Sequence, residues 1–418
     1  MINKIKYVVL LSSLFFGGSL LQAQSHDRCG SADYLAAKKA EIPALANRMA
    51  DMETQIQDWI SSHPNQQSRS YTTIPVVVHV VYKTATQNIP DSQIQSQIEV
   101  LNEDYSQTNY DRINTPAVFA LVSGNPMVQF CLAQRDPSGN WTTGVTRTLT
   151  TVNQFYNDDL VKATATGGED AWPADKYLNI WVCNLGGGLL GYSSFPTFPA
   201  NIDGVVIKYT NFGRVGTLDP EYNKGRTCTH EIGHWMNLIH TWGDSNCGND
   251  YIFDTPTQLT ATYGCPPFPT LSNCTGNSPN GDMFMNYMDY TDDACMNMFS
   301  AGQVARMQAS LALSRAWLST TLSCTLNSTG RLEAEENEVQ FYPNPSNGEF
   351  SLTLPDIKTG DLIIDIFNFR GQKIKHIILP YFNNVAAQIS LNDIDSGIYF
   401  ARISYGEVQV IRKLMLLK

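Results

Sequence analysis

The sequence predicts an α+β chain in two folded parts. The first is a twisted sheet with one functional helix and an irregular C-terminal subdomain; the second is a small β-sandwich. Three observations predict this. Up to residue 240, apolar strand-like runs alternate with segments of helical period. From about 241 to 295 the chain carries Cys247, Cys265, Cys274 and Cys295 among many turn residues, with little periodicity. After residue 340, short apolar or alternating runs recur between turn signals, as the strands of a sandwich do.

The composition fits this division. A length of 418 residues exceeds one ordinary domain, and 43% hydrophobic against 16% charged residues supplies a sizeable core. There are 28 Lys+Arg and 39 Asp+Glu, a formal net charge of −11. That acidic balance, without a basic run or a Gly-rich phosphate loop, excludes a general nucleic-acid binder.

Taken in order, residues 1–23 have the layout of a secretory signal peptide. Lys4 and Lys6 precede the mostly apolar Tyr7–Leu21, and Ala23 offers a small residue for cleavage. The stretch is short for a transmembrane anchor. Residues 24–68 read as a polar helical propeptide: Leu35, Ile42, Leu45, Met49, Met52, Ile56 and Ile60 recur at helical spacing despite Pro43. It ends in the soft stretch 61–70, the kind of tip where proteolysis concentrates.

The mixed domain is expected over 69–325. Ile74–Tyr82 reads as a buried strand. A helix capped by Asp91 or Ser92 presents Ile94, Ile98, Leu101 and Tyr105 on one face. Strands at Leu178–Cys183 and Gly204–Tyr209 flank Gly186–Gly191, whose glycines let the backbone pass close to another group. A further helix starts near Ala301. Residues 326–339 suit a linker. The sandwich, 340–418, has strands expected at Phe350–Leu354, Leu362–Phe369, Ile374–Leu379, Ile389–Leu391, Ile398–Ile403 and Val408–Leu414.

The sharpest feature is His230-Glu-Ile-Gly-His-Trp-Met-Asn-Leu-Ile-His240. On a helix, positions i and i+4 share a face, so His230 and His234 can present nitrogens to one metal. Glu231 sits beside them and can act as general base without ligating the ion. His240 reaches the same metal only if the chain turns near residue 237, and Asn237 tolerates the left-handed conformation such a turn needs. Three neutral imidazoles leave one position open, the pattern of a catalytic zinc site.

With these residues the chain resembles the metzincin metalloproteases, whose usual motif has Gly where Asn237 stands. Asn286-Tyr-Met-Asp-Tyr290 resembles their Met-turn, with Met288 as the floor residue. The His-Trp pair after Gly233 and the His-Thr-Trp at 240–242 resemble the pappalysin family over roughly residues 69–325. The resemblance implies a metzincin zinc-protease domain and an endopeptidase in which Tyr290 stabilises the oxyanion. It implies disulfides Cys247–Cys274 and Cys265–Cys295. It implies structural calcium bound by Asp250, the carbonyl of Ile252, and Thr255. It also implies a preference for Arg or Lys just after the scissile bond, read by Asp293.

Two flanking segments carry resemblances of their own. Arg28-Cys-Gly30 resembles a metzincin cysteine switch, which implies that Cys29 ligates zinc in a latent form. The C-terminal sandwich, with its Tyr-Pro-Asn-Pro opening at 342–345, Gly397–Phe400 and Lys413, resembles the sorting domain of the type IX secretion system. Of nine cysteines, Cys29 stands apart, and the other eight can make four bridges with on the order of a hundred connectivities. The expected protein is a secreted zinc endopeptidase made as a latent zymogen. Its partners are protein substrates and the secretion machinery, with no nucleic acid and no transmembrane anchor. An adhesin or binding module with a structural zinc is the rival reading. Glu231 separates them, because a structural site has no use for a general base.

Overall fold

The structure is a computed structural model that describes residues 28–64, 71–275, 277, 279–316, 340–353, 362–368, 372–379, 387–405 and 408–418. The expected signal peptide, the Ser68-Arg69 stretch and the expected linker lie outside the described residues. The chain divides into two units, Met1–Cys324 and Thr325–Lys418.

The N-terminal segment forms two helices, α1 (Ser31–Glu41) and α2 (Pro43–Ser62). Pro43 begins the second because it lacks an N–H and its fixed φ suits a first helical turn. Next come β1 (Thr72–Tyr82) and α3 (Asp91–Tyr105). The expected cap by Asp91 or Ser92 is not made. Pro90 is the N-cap without a side-chain bond, and the Asp91 carboxylate pairs with Arg147 instead. A short α4 (Ala117–Ala120) and β2 (Ser123–Gly124) precede β3 (Val128–Leu132) and β4 (Val145–Leu149). Then follow β5 (Leu178–Cys183), β6 (Gly191–Ser193) and β7 (Val205–Lys208).

All of these strands but β2 make one sheet in the order β3-β1-β5-β7-β6, with β4 also paired to β1. β1 pairs in parallel with β3 along its first half, with β4 along its second half, and with β5 on its other side. Buried on both faces, its centre reads as an apolar run interrupted only by His79. β6 is antiparallel to β7 and forms the edge. One face of the sheet packs Val76, Val78 and Val80 against Ile94, Ile98, Leu101 and Tyr105 of α3. The opposite face packs Val81, Trp181, Tyr192 and Val206 against Tyr34 and Leu45, so the N-terminal helices complete a core.

The functional helix is α5 (Arg226–Trp235), buried along its whole length. The irregular stretch after it leads to β8 (Phe299–Ser300) and α6 (Ala301–Ser314), which has a Ser300/Gln303 capping box. Disulfides Cys247–Cys274 and Cys265–Cys295 close the irregular stretch. Four bridges among the other eight cysteines are not formed: Cys183 and Cys228 are free thiols inside the two hydrophobic clusters, where no second sulfur meets them.

The second unit has antiparallel strands β9 (Gln340–Tyr342), β10 (Glu349–Thr353), β11 (Leu362–Asn368), β12 (Lys373–Leu379), β13 (Ala387–Ser390), β14 (Gly397–Tyr405) and β15 (Val408–Leu416). They form sheets β13-β10-β9 and β12-β11-β14-β15. Phe350, Leu352, Ile364, Ile366, Ala401, Ile403 and Leu414 share its core, taken from alternate positions on their strands.

α5 is fixed by its first residue. Buried Arg226 pairs with Asp104 of α3 and with Asp111, each at 3.2 Å. It also donates to Tyr287 Oη at 2.9 Å and to the Met296 carbonyl at 2.8 Å. Arg226→Met keeps the bulk but leaves two buried carboxylates without their cation. The expected cost is ~3–5 kcal/mol. A thermal denaturation midpoint equal to that of the parent protein would show that these pairs do not hold the helix.

Candidate active site

The helical spacing brings His230 and His234 to one face of α5, and the chain then turns sharply. Asn237 has φ 71°, the left-handed conformation expected of it, and the Leu238 N–H returns to the Gly233 carbonyl at 2.9 Å. The turn delivers His240. The three Nε2 atoms converge, with His234 at 3.1 Å from His230 and 3.2 Å from His240.

Each ring is oriented through its other nitrogen. His230 Nδ1 donates to the Tyr287 carbonyl at 2.6 Å and His234 Nδ1 to the Leu238 carbonyl at 2.8 Å. His240 Nδ1 donates to Asp244. With the protons on Nδ1, three bare Nε2 lone pairs face one point. Burial and the neighbouring His240 push His230 down to about 3, and burial pushes His234 well below the usual imidazole range. Neutral imidazoles this close repel unless a cation sits among them, so the donor set fits zinc. Cys29 Sγ completes the cluster; the four ligand atoms lie within 4.8 Å of one another. Burial, then the Glu231 charge, push its thiol up, so a thiolate there needs a cation as well.

Glu231 lies beside this point without entering it. Its Oε2 accepts from Ser31 Oγ at 2.8 Å and contacts Cys29 Sγ at 3.4 Å. A Cβ at Gly191 would lie 2.9 Å from Glu231 Oε1, which explains a glycine at that end of the Gly186–Gly191 stretch. Met288 is fully buried beneath the helix, and a Cβ at Gly233 would come within 2.5 Å of its sulfur. Tyr290 Oη donates to the Cys29 carbonyl at 3.2 Å. Asp293 is buried in the neighbouring pocket, which Arg28, Tyr222 and Met296 also line. Its Oδ2 accepts the backbone N–H groups of Lys224 at 2.8 Å and Arg226 at 3.2 Å. Away from the cluster, Asp250, Ile252 and Thr255 do meet: Thr255 Oγ1 donates to Asp250 at 2.7 Å and to the Ile252 carbonyl at 3.0 Å.

A sequence profile described as pregnancy-associated plasma protein-A matches residues 162–312, and one described as a secretion system C-terminal sorting domain matches 340–417. An extracellular metalloprotease of Arthroderma benhamiae is 32% identical over 325 residues, which span 74% of this chain and 99% of that one. The chain belongs to the pappalysin family of metalloproteases.

Two solved structures agree. Mature mirolysin of Tannerella forsythia, in complex with a cleaved peptide, is 50% identical. That match has a TM-score of 0.57 and covers 60% of this chain and 98% of that one. A promirolysin mutant of Tannerella forsythia is 48% identical with a TM-score of 0.64, covering 69% of this chain and 96% of that one. This pappalysin-family chain is therefore a secreted zinc metalloendopeptidase made as a zymogen and carrying a sorting domain. Among the described residues no helix is long and apolar enough to cross a membrane.

Several contributors were not read from the sequence. Asp244 orients His240, and its only signal was a carboxylate four residues beyond a ligand. Ser31 reaches Glu231 from 200 positions away in the chain. Asn286 holds the Met-turn through Met288 N at 2.9 Å and a pair of amide bonds with Gln303. Partners this distant carry no local pattern. Removing a carboxylate that orients a metal-ligating histidine typically lowers metal affinity about 10–100-fold. Asp244→Ala should show that loss in competition with a zinc chelator, with Asp244→Asn closer to the parent. Equal zinc affinity in all three proteins would mean that His240 needs no such partner.

Proposed function

We propose that this protein cleaves peptide bonds next to basic residues and is released from latency by loss of its own N-terminal segment. The observation that carries the reading is the meeting of His230, His234, His240 and Cys29 at one buried point, with Glu231 beside it. The three histidines would hold zinc, which would supply the Lewis acidity that the hydrolysis of a peptide bond needs. Glu231 takes the proton and passes it to the leaving amine. Tyr290, beside His240 at 4.9 Å between ring centres, donates its hydroxyl to the carbonyl oxygen as it gains charge. β6, the edge of the sheet on which Cys29 lies here, pairs with the substrate as an added strand once the N-terminal segment has left.

Residues 24–68 are the pro-segment in this reading, 69–325 the catalytic domain, and 340–418 the sorting domain handed to the secretion machinery after a signal peptide over 1–23. Cys29 takes the position a water needs, and Cys29 with Ser31 occupies Glu231. A cut between Ser68 and Arg69 frees the segment without trimming β1 and leaves Arg69 just after the scissile bond. Glu231→Ala should keep its zinc, hydrolyse no casein and stay at full precursor length, while the parent shortens to begin at Arg69. Near-normal hydrolysis by the variant would sink the mechanism.

Asp293 supports the basic preference. Burial raises its carboxyl to about 6, against backbone N–H bonds that pull it down. Below that pH the group is neutral and offers a cation nothing; above it, a buried carboxylate favours Arg or Lys. The ratio of kcat/KM for Arg over norleucine after the scissile bond should rise as pH passes through about 6. Asp293→Ala should lower that ratio by at least tenfold and flatten its pH dependence, and an unchanged ratio would place the pocket base elsewhere.

Calcium is the second cofactor of this reading. Asp250, raised to about 6 by burial, with the Ile252 carbonyl and Thr255, supplies hard oxygens that suit it. Calcium added to zinc-loaded, chelator-washed enzyme should raise the melting midpoint, and Asp250→Asn should abolish that rise. Identical midpoints with and without calcium would remove it from the account.

A further inference from the structure

The N-terminal helices cover a second site, away from the histidine cluster. Tyr34 of α1 is fully buried, and its ring meets Tyr192 edge-on at 5.0 Å and Phe198 at 5.6 Å between centres. Its hydroxyl donates to Asp159 Oδ1 and accepts from Lys162 Nζ at 3.3 Å. The same ammonium lies 4.9 Å from the centre of the Tyr34 ring. A ring held by two others, with a carboxylate and a cation at its hydroxyl, sits in a socket shaped for a phenol.

The socket does not depend on the segment that fills it. Lys162 is buried, pairs with Asp159 at 3.0 Å and donates to the Ile202 carbonyl at 2.8 Å. Its ammonium rests 5.4 Å from the Trp181 ring centre and 4.9 Å from that of Tyr192. All of these groups lie beyond residue 68, so they stay when residues 24–68 leave. The aromatic face that Tyr34 and Leu45 cover in the precursor is then open, and an open face of that kind marks a binding surface.

The cleft leads to it. Tyr192 belongs to β6, and its two neighbours hold the N-terminal segment. Gly30 N donates to the Gly191 carbonyl at 2.9 Å, and Ser193 N donates to Ser31 Oγ at 2.9 Å. Cys29 pairs with Gly191 in the parallel sense, so from the histidine cluster the segment runs along β6 toward the socket. A substrate strand added antiparallel to this edge runs from the socket toward the histidines. The residues before its scissile bond therefore lie on the track of Gly30 and Ser31.

We propose that Asp159, Lys162, Tyr192 and Phe198 form a subsite for a tyrosine side chain upstream of the scissile bond, which Tyr34 fills in the precursor. An extended chain covers in about one residue what a helix covers in two, so the substrate tyrosine stands about three to five residues before the bond. The hydroxyl makes the selection: phenylalanine fills the ring space but leaves Asp159 and Lys162 each short of a bond. The subsite rests on the proposed loss of the N-terminal segment. It adds a second determinant of specificity, on the other side of the histidine cluster from Asp293.

The test uses enzyme matured from the full chain and peptides with Arg after the scissile bond. Tyr, Phe or Ala is placed in turn at each of those upstream positions. At one of them kcat/KM should be about tenfold higher for Tyr than for Phe, and lowest for Ala. Asp159→Ala should bring the Tyr-over-Phe ratio close to one, with Asp159→Asn between, because the amide oxygen still accepts the hydroxyl. Phe198→Ala should shrink both aromatic-over-Ala ratios. In the parent enzyme, N-acetyltyrosinamide should inhibit hydrolysis of the Tyr peptide competitively, and more strongly than N-acetylphenylalaninamide; this arm needs no variant to fold. A matured chain whose N-terminus still precedes Tyr34 overturns the loss of the segment and the subsite together. A chain that starts after Tyr34 and cleaves the Tyr, Phe and Ala peptides equally at every position overturns the subsite alone. A Tyr preference that Asp159→Ala leaves unmoved does the same.

Discussion

Three bare nitrogen lone pairs, that of His234 lying 3.1 Å from His230 and 3.2 Å from His240, are the constraint on which this site depends. Imidazoles keep that geometry only if each Nδ1 proton has its own acceptor. The acceptors come from three places: the Met-turn at Tyr287, the turn after α5 at Leu238, and the following loop at Asp244. The Asn286–Tyr290 stretch thus orients His230 through a backbone carbonyl, while the Met288 sulfur sets how closely that backbone lies to Gly233. Asn286 and Gln303 then fix the Met-turn to α6.

The same economy appears at the cleft edge. Four consecutive residues, Arg28 to Ser31, meet the Asp293 pocket, the histidine cluster and Glu231. So short a stretch makes few contacts and needs help to stay in place. α1 and α2 provide it by burying Tyr34 and Leu45 in the core behind β6. Glu53 of α2 pairs with Arg306, whose Nε donates to the Asn237 carbonyl at 2.7 Å. The segment is thereby tied to the turn that delivers the third histidine.

The sandwich has its own core and shows how differently two units are encoded. Its strands were legible because they are short apolar or alternating runs, and the turns between them carry glycine or asparagine. In the first unit β1 was legible for the opposite reason: buried on both faces, it is apolar from Ile74 to Val81 but for His79.

By itself the sequence determined what can be written in a short stretch of chain. It determined the helix that puts His230 and His234 on one face, the turn at Asn237, the strands of both units and the separate standing of Cys29. Each of these follows from local period or from the φ a residue tolerates. The cap at Asp91 was misread because Arg147, far along the chain, draws the carboxylate away. The bridging of Cys183 and Cys228 was open for the same reason: only the fold decides which sulfurs meet. Tertiary structure alone decided that Asp244 orients His240, that Ser31 occupies Glu231 and that Tyr222, Tyr263 and Asp292 surround Arg28. The last two sets of contacts join residues about 190 to 260 positions apart, brought together by the pairing of Cys29 with the Gly191 edge. No local pattern in the chain records such a meeting, because the energy that makes it comes from packing between distant elements.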